Sequence, residues 1–221
     1  MSKYATTGVT TETPGKIQYG AGVYFTGITY SETAAPTPEE INAHLIGATQ
    51  EGGTLTIAPE FYTPDLDGVQ VNLIDVTQKV GEKATMETTM AELTPANIAH
   101  AVIGNVGETT DENYDIVTSS ADLQPGHYYD GFGYCGKFMS GRPFIVVFKK
   151  ALCTSGFSLN PKNKSASGFK GTFECYSDVE SAVDKLPYCI FVMKESKWTQ
   201  ISAEEAIVES QESENQDPKT P

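Results

Sequence analysis

Histidine is scarce in this chain, cysteine never recurs at metal-binding spacing, and only 15 basic residues stand against 29 acidic ones. Each shortage excludes something. Nucleophilic catalysis needs a base beside a Ser, Cys or Thr, and the histidines are only His44, His100 and His127. The first two fall inside predicted helices and the third follows Pro125-Gly126, so surface or cap positions account for them. His127 and Asp130 make two ligands, short of a metal site, and an enzyme would have to gather His127, Asp130 and Cys135 in one cleft. Cys135, Cys153, Cys175 and Cys189 lie far apart with no C-x-x-C, which points to buried thiols rather than zinc. The net charge of −14 opposes any grip on nucleic acid phosphates. No apolar run approaches the roughly 20 residues of a membrane span, and the start has no apolar signal-peptide centre, so a cytoplasm is the expected place of synthesis.

The remaining hints of chemistry have plain structural readings. A G-x-G-x-x-G at Gly131, Gly133 and Gly136 is followed by a strand-like run, whereas a dinucleotide site needs a helix there. Glycines admitting a tight bend in a strand explain it. The pairs Glu39 and Glu40, Asp65 and Asp67, and Asp111 and Glu112 suit caps and acidic turns, and nothing marks a desolvated cleft that would separate their pKa values. No catalytic, cofactor-binding or metal-binding residue is therefore assigned, and no cofactor.

What the chain does have is glycine, 20 of them, with 12 prolines, among β-branched and aromatic residues. That mixture predicts a mainly β (α+β) fold, an antiparallel sandwich or half-barrel with one or two short flanking helices. Residues 1–15 read as a flexible arm, 16–194 as one β domain, and 195–221 as an acidic disordered tail of net charge −5, with a short helix near 203–209. A strand with a bend at Gly20 and Gly22 is predicted after Lys16. The alternation in GGTLTIAPEF and in VQVNLIDV, across YTPDLDG, predicts a long hairpin with its loop near 58–70. A further strand sets Met86, Thr88 and Met90 against Thr85, Glu87 and Thr89. Two helices begin with Thr-Pro and end with Ile-Gly: 37–47, with Ile41 and Leu45 on one side, and 94–104, with Ile98 and Val102 sharing a face. A loop with a strand at 114–117 follows. RPFIVVFKKALC reads as the most buried strand, GFKGTFECYS as an alternating one, and Tyr188–Met193 as the last.

The order of these pieces resembles the major tail proteins of long-tailed bacteriophages, the tail-tube subunits of siphophages. A strand entering a helix through E-L-T-P-x-N is matched by Glu92, Leu93, Thr94, Pro95 and Asn97. A later strand with K-x-A-L, a turn and a lysine-bearing loop is matched by Lys149, Ala151, Leu152, Gly156, Phe157 and Lys162. The resemblance covers Lys16 to Met193; the acidic tail and the cysteines have no counterpart in it. It implies a structural subunit, not an enzyme, in which an inner sheet joins neighbours into a ring barrel. Stacked, six-copy rings would form the DNA-conducting channel of a virion tail made in a bacterial cytoplasm. Implied partners are further copies of the chain, a tape-measure protein and transiently DNA in the lumen, and tail terminator and distal tail proteins, with no membrane. Thr85, Glu87, Thr89, Thr172 and Glu174 are the expected lumen-facing residues, an acidic wall past which phosphates would slide. Phe61, Tyr62, Asp65 and Asp67 are the expected inter-ring contacts. The alternatives are a contractile-tail or bacteriocin tube, and a β-sandwich host-binding or decoration module.

Overall fold

The computed structural model describes residues 7–161, 163–164, 166–179 and 185–201. The protein is mainly β, with 42% strand against 16% helix and antiparallel sheets, as its turn-rich, β-branched composition dictates. Its strands are β1 (Gln18–Phe25), β2 (Thr49–Tyr62), β3 (Gln78–Met90), β4 (Gly104–Gly107), β5 (Ile116–Ser119), β6 (Tyr129–Phe138), β7 (Pro143–Cys153), β8 (Phe169–Tyr176) and β9 (Tyr188–Val192). Its helices include α1 (Pro38–Ala43) and α2 (Pro95–Ala101), and residues 195–201 are helical as well. One sheet runs β1-β6-β7-β8-β3-β2, with β9 also on β7, and β4 and β5 form a separate two-stranded sheet.

The chain divides into two compact units. The described part of one comprises 7–20, 136–144 and 191–201; the other comprises 21–135 and the described residues of 145–190. The predicted domain of 16–194 is thus shared between them.

Every buried hydrophobic side chain among the described residues belongs to the second unit. Its centre is Phe173, fully buried, stacked on Phe132 at 4.3 Å and edge-on to Tyr129 at 5.4 Å. Met86 pairs with Phe173 across β3 and β8, so the alternation in both strands turns Ala84, Met86, Thr88 and Met90 inward with Phe169, Phe173 and Cys175. β7 is the most continuously apolar strand, and Val146, Val147, Phe148 and Ala151 are at most 2% exposed.

Both helix starts are as the local chemistry demands. Thr37 Oγ1 accepts from Glu40 N–H while Glu40 Oε2 accepts from Thr37 N–H, a complete capping box, and Thr94 Oγ1 accepts from Asn97 N–H. Both helices are shorter than predicted. α1 stops at Ala43 because Leu45 leaves it to bridge Phe25, which turns its side chain out to 46% exposure and buries Ile46 instead. In α2 the buried positions are Asn97, Ala99 and Ala101 rather than Ile98 and Val102, which are only half-buried.

 Gly104 does not cap that helix: Ile103 takes the left-handed φ of 52°, and Gly104 opens β4, where a Cβ would meet the Thr118 carbonyl oxygen. The strand expected at 114–117 lies at Ile116–Ser119, paired with the unpredicted β4.

The predicted hairpin is corrected in its second strand. β2 does not pair with Val69–Leu73 but with β3, from Thr49 opposite Met90 to Tyr62 opposite Gln78, across a bulge where Glu51 and Gly52 both have positive φ. Asp67-Gly68 still turns the chain, with Gly68 at φ 80° and Val69 N–H donating to Leu66 O. Val69–Leu73 alternates like a strand but has no ladder of its own, and it stays in the loop joining β2 to β3. A backbone adopts a strand only when a neighbour accepts its hydrogen bonds.

The chain ends hold more structure than expected. Residues 1–6 of the arm lie outside the described residues, while Thr13–Lys16 form a 3-10 turn in which Gly15 N–H donates to Glu12 O. Residues 195–201, assigned to the disordered tail, are helical, and the helix expected near 203–209 lies outside the described residues.

Candidate functional site

The expected lumen-facing residues share one face of two adjacent strands. Thr85 stands opposite Glu174, Glu87 opposite Thr172, and Thr89 opposite Lys170, and all of them are half-buried or exposed while their strand neighbours are buried. Thr54, Thr56 and Ala58 extend this face onto β2, opposite Glu87, Thr85 and Lys83. The structure therefore forms a wettable wall at least three strands wide.

Its charge corrects the expected acidity. Lys170 Nζ lies 2.7 Å from Glu87 Oε2 and Lys83 Nζ lies 3.1 Å from Glu174 Oε2, both diagonal across the β3–β8 ladder. Each glutamate assigned to the wall is matched by a lysine two residues along the strand from its directly opposed partner, which alternation places on the same face. Both lysines are well exposed, at 56% and 66% of their side chains, so the pairs contribute little to stability. Their effect is to leave the wall polar but nearly neutral.

Beneath it, the β2 bulge is fitted to a tyrosine. Tyr24 Oη donates to Glu87 O, and a Cβ on Gly53 would collide with that hydroxyl. Burial pushes the Tyr24 phenol up to about 12, so it remains a donor.

The expected inter-ring residues lie where β2 ends and the loop begins. Phe61 and Tyr62 are 65% and 58% exposed, and Asp65 and Asp67 are exposed too. Sequence reasoning missed the apolar residues around them: Val71 is 70% exposed and Ile74 93%, with Leu66, Val69, Leu73 and Val80 also open to solvent. The signal was the VQVNLIDV alternation itself, once its pairing with β2 is discarded. Thr63 and Thr77 hydroxyls, 2.9 Å apart, close the base of this loop, and Thr77 Oγ1 also donates to Leu73 O. Two strands of 14 and 13 residues thus carry a pinched loop crowded with apolar side chains.

The E-L-T-P-x-N run splices α2 to the segment before β2. Glu92 Oε1 accepts from Ala48 N–H, Thr94 caps the helix, Pro95 takes its first position, and buried Asn97 donates from Nδ2 to Ile46 O at 3.0 Å. Leu93 is exposed, as are Glu92 and Thr94. In the later motif, Lys149 pairs with Asp178 at 2.8 Å, Ala151 and Leu152 are buried, and Phe157 packs on Phe169 with centroids 5.3 Å apart. Lys162 lies outside the described residues.

The residues weighed for chemistry are dispersed into structural roles. Of the surface or cap positions expected for the histidines, His127 takes a cap and is buried at 2% exposure: Nδ1 accepts from Gln124 N–H at 3.0 Å and Nε2 lies 3.3 Å from Ser120 Oγ. Asp130 is 2.6 Å from Lys150. His100 stacks on Tyr129 at 4.0 Å with Nδ1 3.2 Å from His127 O, and burial lowers its pKa. His44 Nδ1 lies 2.8 Å from Glu40 O at the end of α1. Asp111 accepts from the Asn113 backbone and side chain, which hold its carboxyl below the usual range. Gly131 and Gly133 lie within β6, where a Cβ would meet Ile28 O and the Phe25 ring respectively. The four cysteines are thiols, Cys153 and Cys175 buried, Cys135 and Cys189 half-buried. Among the described residues no cluster of three or more His, Cys, Asp and Glu side chains is placed to hold a metal ion, and no helix is long and apolar enough to cross a membrane.

No protein-family model matches the chain, and a comparison with curated proteins gives no match either.

Proposed function

We propose that the protein is a tube-forming structural subunit of a bacteriophage tail, of the long, non-contractile type, that assembles into stacked rings around a DNA-conducting channel. The observation that carries this reading is the β2–β3 hairpin, with a polar, nearly neutral outer face and an apolar loop at its end. Exposed apolar side chains in such number call for a protein partner, since single soluble domains rarely leave them uncovered. In a homopolymer that partner is the next copy, and a heterologous contact repeats along an axis without closing.

In this reading the β3–β8 face lines the lumen, and its matched charges let the phosphate backbone pass with neither strong attraction nor strong repulsion. A tape-measure protein would occupy the channel before DNA, and terminator and distal tail proteins would bind its ends. Six copies per ring, the joined inner barrel and a place in the virion belong to the same proposal and rest on the family resemblance.

The test is electron microscopy of the concentrated protein beside a variant in which residues 64–76 are replaced by a two-residue turn. The full chain should form tubes of constant diameter, and the shortened chain should stay folded and stop at rings or monomers. Tubes of normal length from the shortened chain would remove the loop from the assembly. A full chain that stays monomeric or trimeric and binds saccharide would instead favour a decoration or host-binding module.

A further inference from the structure

The unit made of residues 7–20, 136–144 and 191–201 contains no buried hydrophobic side chain among its described residues. Its buried polar side chain is Arg142, 8% exposed, on the turn between β6 and β7. A guanidinium taken out of water is costly unless a carboxylate or several acceptors receive it. Among the described residues no carboxylate lies within ion-pair distance of Arg142. Its Nη2 donates to Gly15 O at 2.8 Å and its Nη1 to Met193 O at 3.0 Å, its Cζ stands 4.6 Å from the centre of the Phe138 ring, and its buried Nε has no acceptor. The two carbonyls belong to opposite ends of the chain.

Three further contacts join the same segments. Trp198 Nε1 donates to Ser140 O at 3.0 Å, and its ring lies over Gly141, whose φ of 86° makes the turn and whose Cβ, if present, would be 3.0 Å from Trp198 Cζ2. A Cβ on Gly15 would be 2.9 Å from Glu195 Oε1, so the N-terminal turn and the C-terminal helix touch directly. Met139 N–H also donates to Ile17 O at 2.8 Å.

We infer that Arg142 is the key of a latch that fastens residues 10–17 and 193–201 to the β6–β7 turn, so that both chain ends are released together and before the large sheet unfolds. With no buried hydrophobic side chain among its described residues, this unit is held by backbone hydrogen bonds, the half-buried Phe138–Phe144 ring pair and the polar contacts that meet at Arg142, and such regions open at low free-energy cost. Losing Arg142 removes an acceptor-bound donor from both ends at once. The consequence is a coupled arm and tail: whatever draws one away from the turn frees the other.

Trp198 is the chain's one tryptophan, so its emission reports the latch without labelling. In urea the Trp198 emission of the full chain should shift to the red before the far-ultraviolet sheet signal falls. In Arg142→Met, trypsin cleavage after Lys16 and after Lys197 should accelerate together by roughly tenfold or more, as expected for losing hydrogen bonds to a charged group, with the sheet signal unchanged. Coincident Trp198 and sheet transitions in the unmodified chain would overturn the inference. So would faster cleavage at only one of the two lysines, or a variant whose sheet no longer forms.

Discussion

Placing alanine at Gly131 tests whether the G-x-G-x-x-G exists for packing. Gly131 has φ 56°, and a Cβ there would lie far inside contact distance of the Ile28 carbonyl oxygen, a backbone atom that cannot rotate away. Its neighbour Asp130 offers a carbonyl to both Gly27 N–H at 2.6 Å and Thr26 Oγ1 at 3.1 Å, so moving β6 to make room strains those bonds as well. A left-handed φ costs an L-residue about 1–2 kcal/mol. Overpacking adds about 1–3 kcal/mol. The sum, ~2–5 kcal/mol, is a large share of a typical stability of 5–15 kcal/mol. Two glycines separate the terms: Gly156 has φ 70° with nothing within 4 Å of its Cβ, and Gly133 has a crowded Cβ without a left-handed φ. Urea titration of the three alanine variants at constant m should therefore rank Gly131→Ala as the most damaging, with Gly156→Ala costing about 1–2 kcal/mol. If Gly131→Ala costs no more than Gly156→Ala, the close approach to Ile28 is not what requires glycine.

Phe173→Ala should cost ~3–5 kcal/mol by urea titration, because it empties the centre of the core and abolishes the stacking on Phe132. Burial lowers the His100 pKa, so the unfolded chain binds the extra proton: stability is fully present above about 6.5 and falls as pH drops toward the folded pKa. Comparing urea midpoints across that window, His100→Asn should show a shallower fall than the unmodified protein. Thiol labelling at pH 8 followed by mass spectrometry should modify Cys189 before Cys175, which is buried and whose pKa is pushed up to about 12.

The parts of the fold legible in the sequence are those settled by near neighbours or by one buried face. Thr37 and Thr94 cap their helices through residues three positions on, so no tertiary information is needed to find them. β3, β7 and β8 are legible because burial on one face, or along the whole strand, imposes its period on the residues. Val69–Leu73 shows the limit: its alternation is as regular as that of β3, but which segment pairs with β2 is decided across the sheet, and β3 had β8 to hold its other edge. Leu45 and Ile46 exchanged burial because the backbone bridge to Phe25 outweighed helical periodicity. The candidate wall was legible as a set of positions, since strand parity fixes the face. Its neutrality was not, because Lys83 and Lys170 become neighbours of Glu174 and Glu87 only through the register. Trp198 gave no periodic signal at all; a lone aromatic in a polar segment was the one mark of an anchored helix.

The paired lysines of the β3–β8 face also say where the protein's charge is not. With Glu87 and Glu174 neutralised in place, the formal −14 is carried by other surfaces, and −5 of it by residues 202–221 alone. Two copies approaching one another therefore meet a mutual repulsion that begins at about one Debye length, ~8 Å at physiological salt and shorter as salt is added. Ionic strength becomes a control on the threshold concentration for self-association: added salt lowers it, and dilution into low-salt buffer keeps the chains apart in solution.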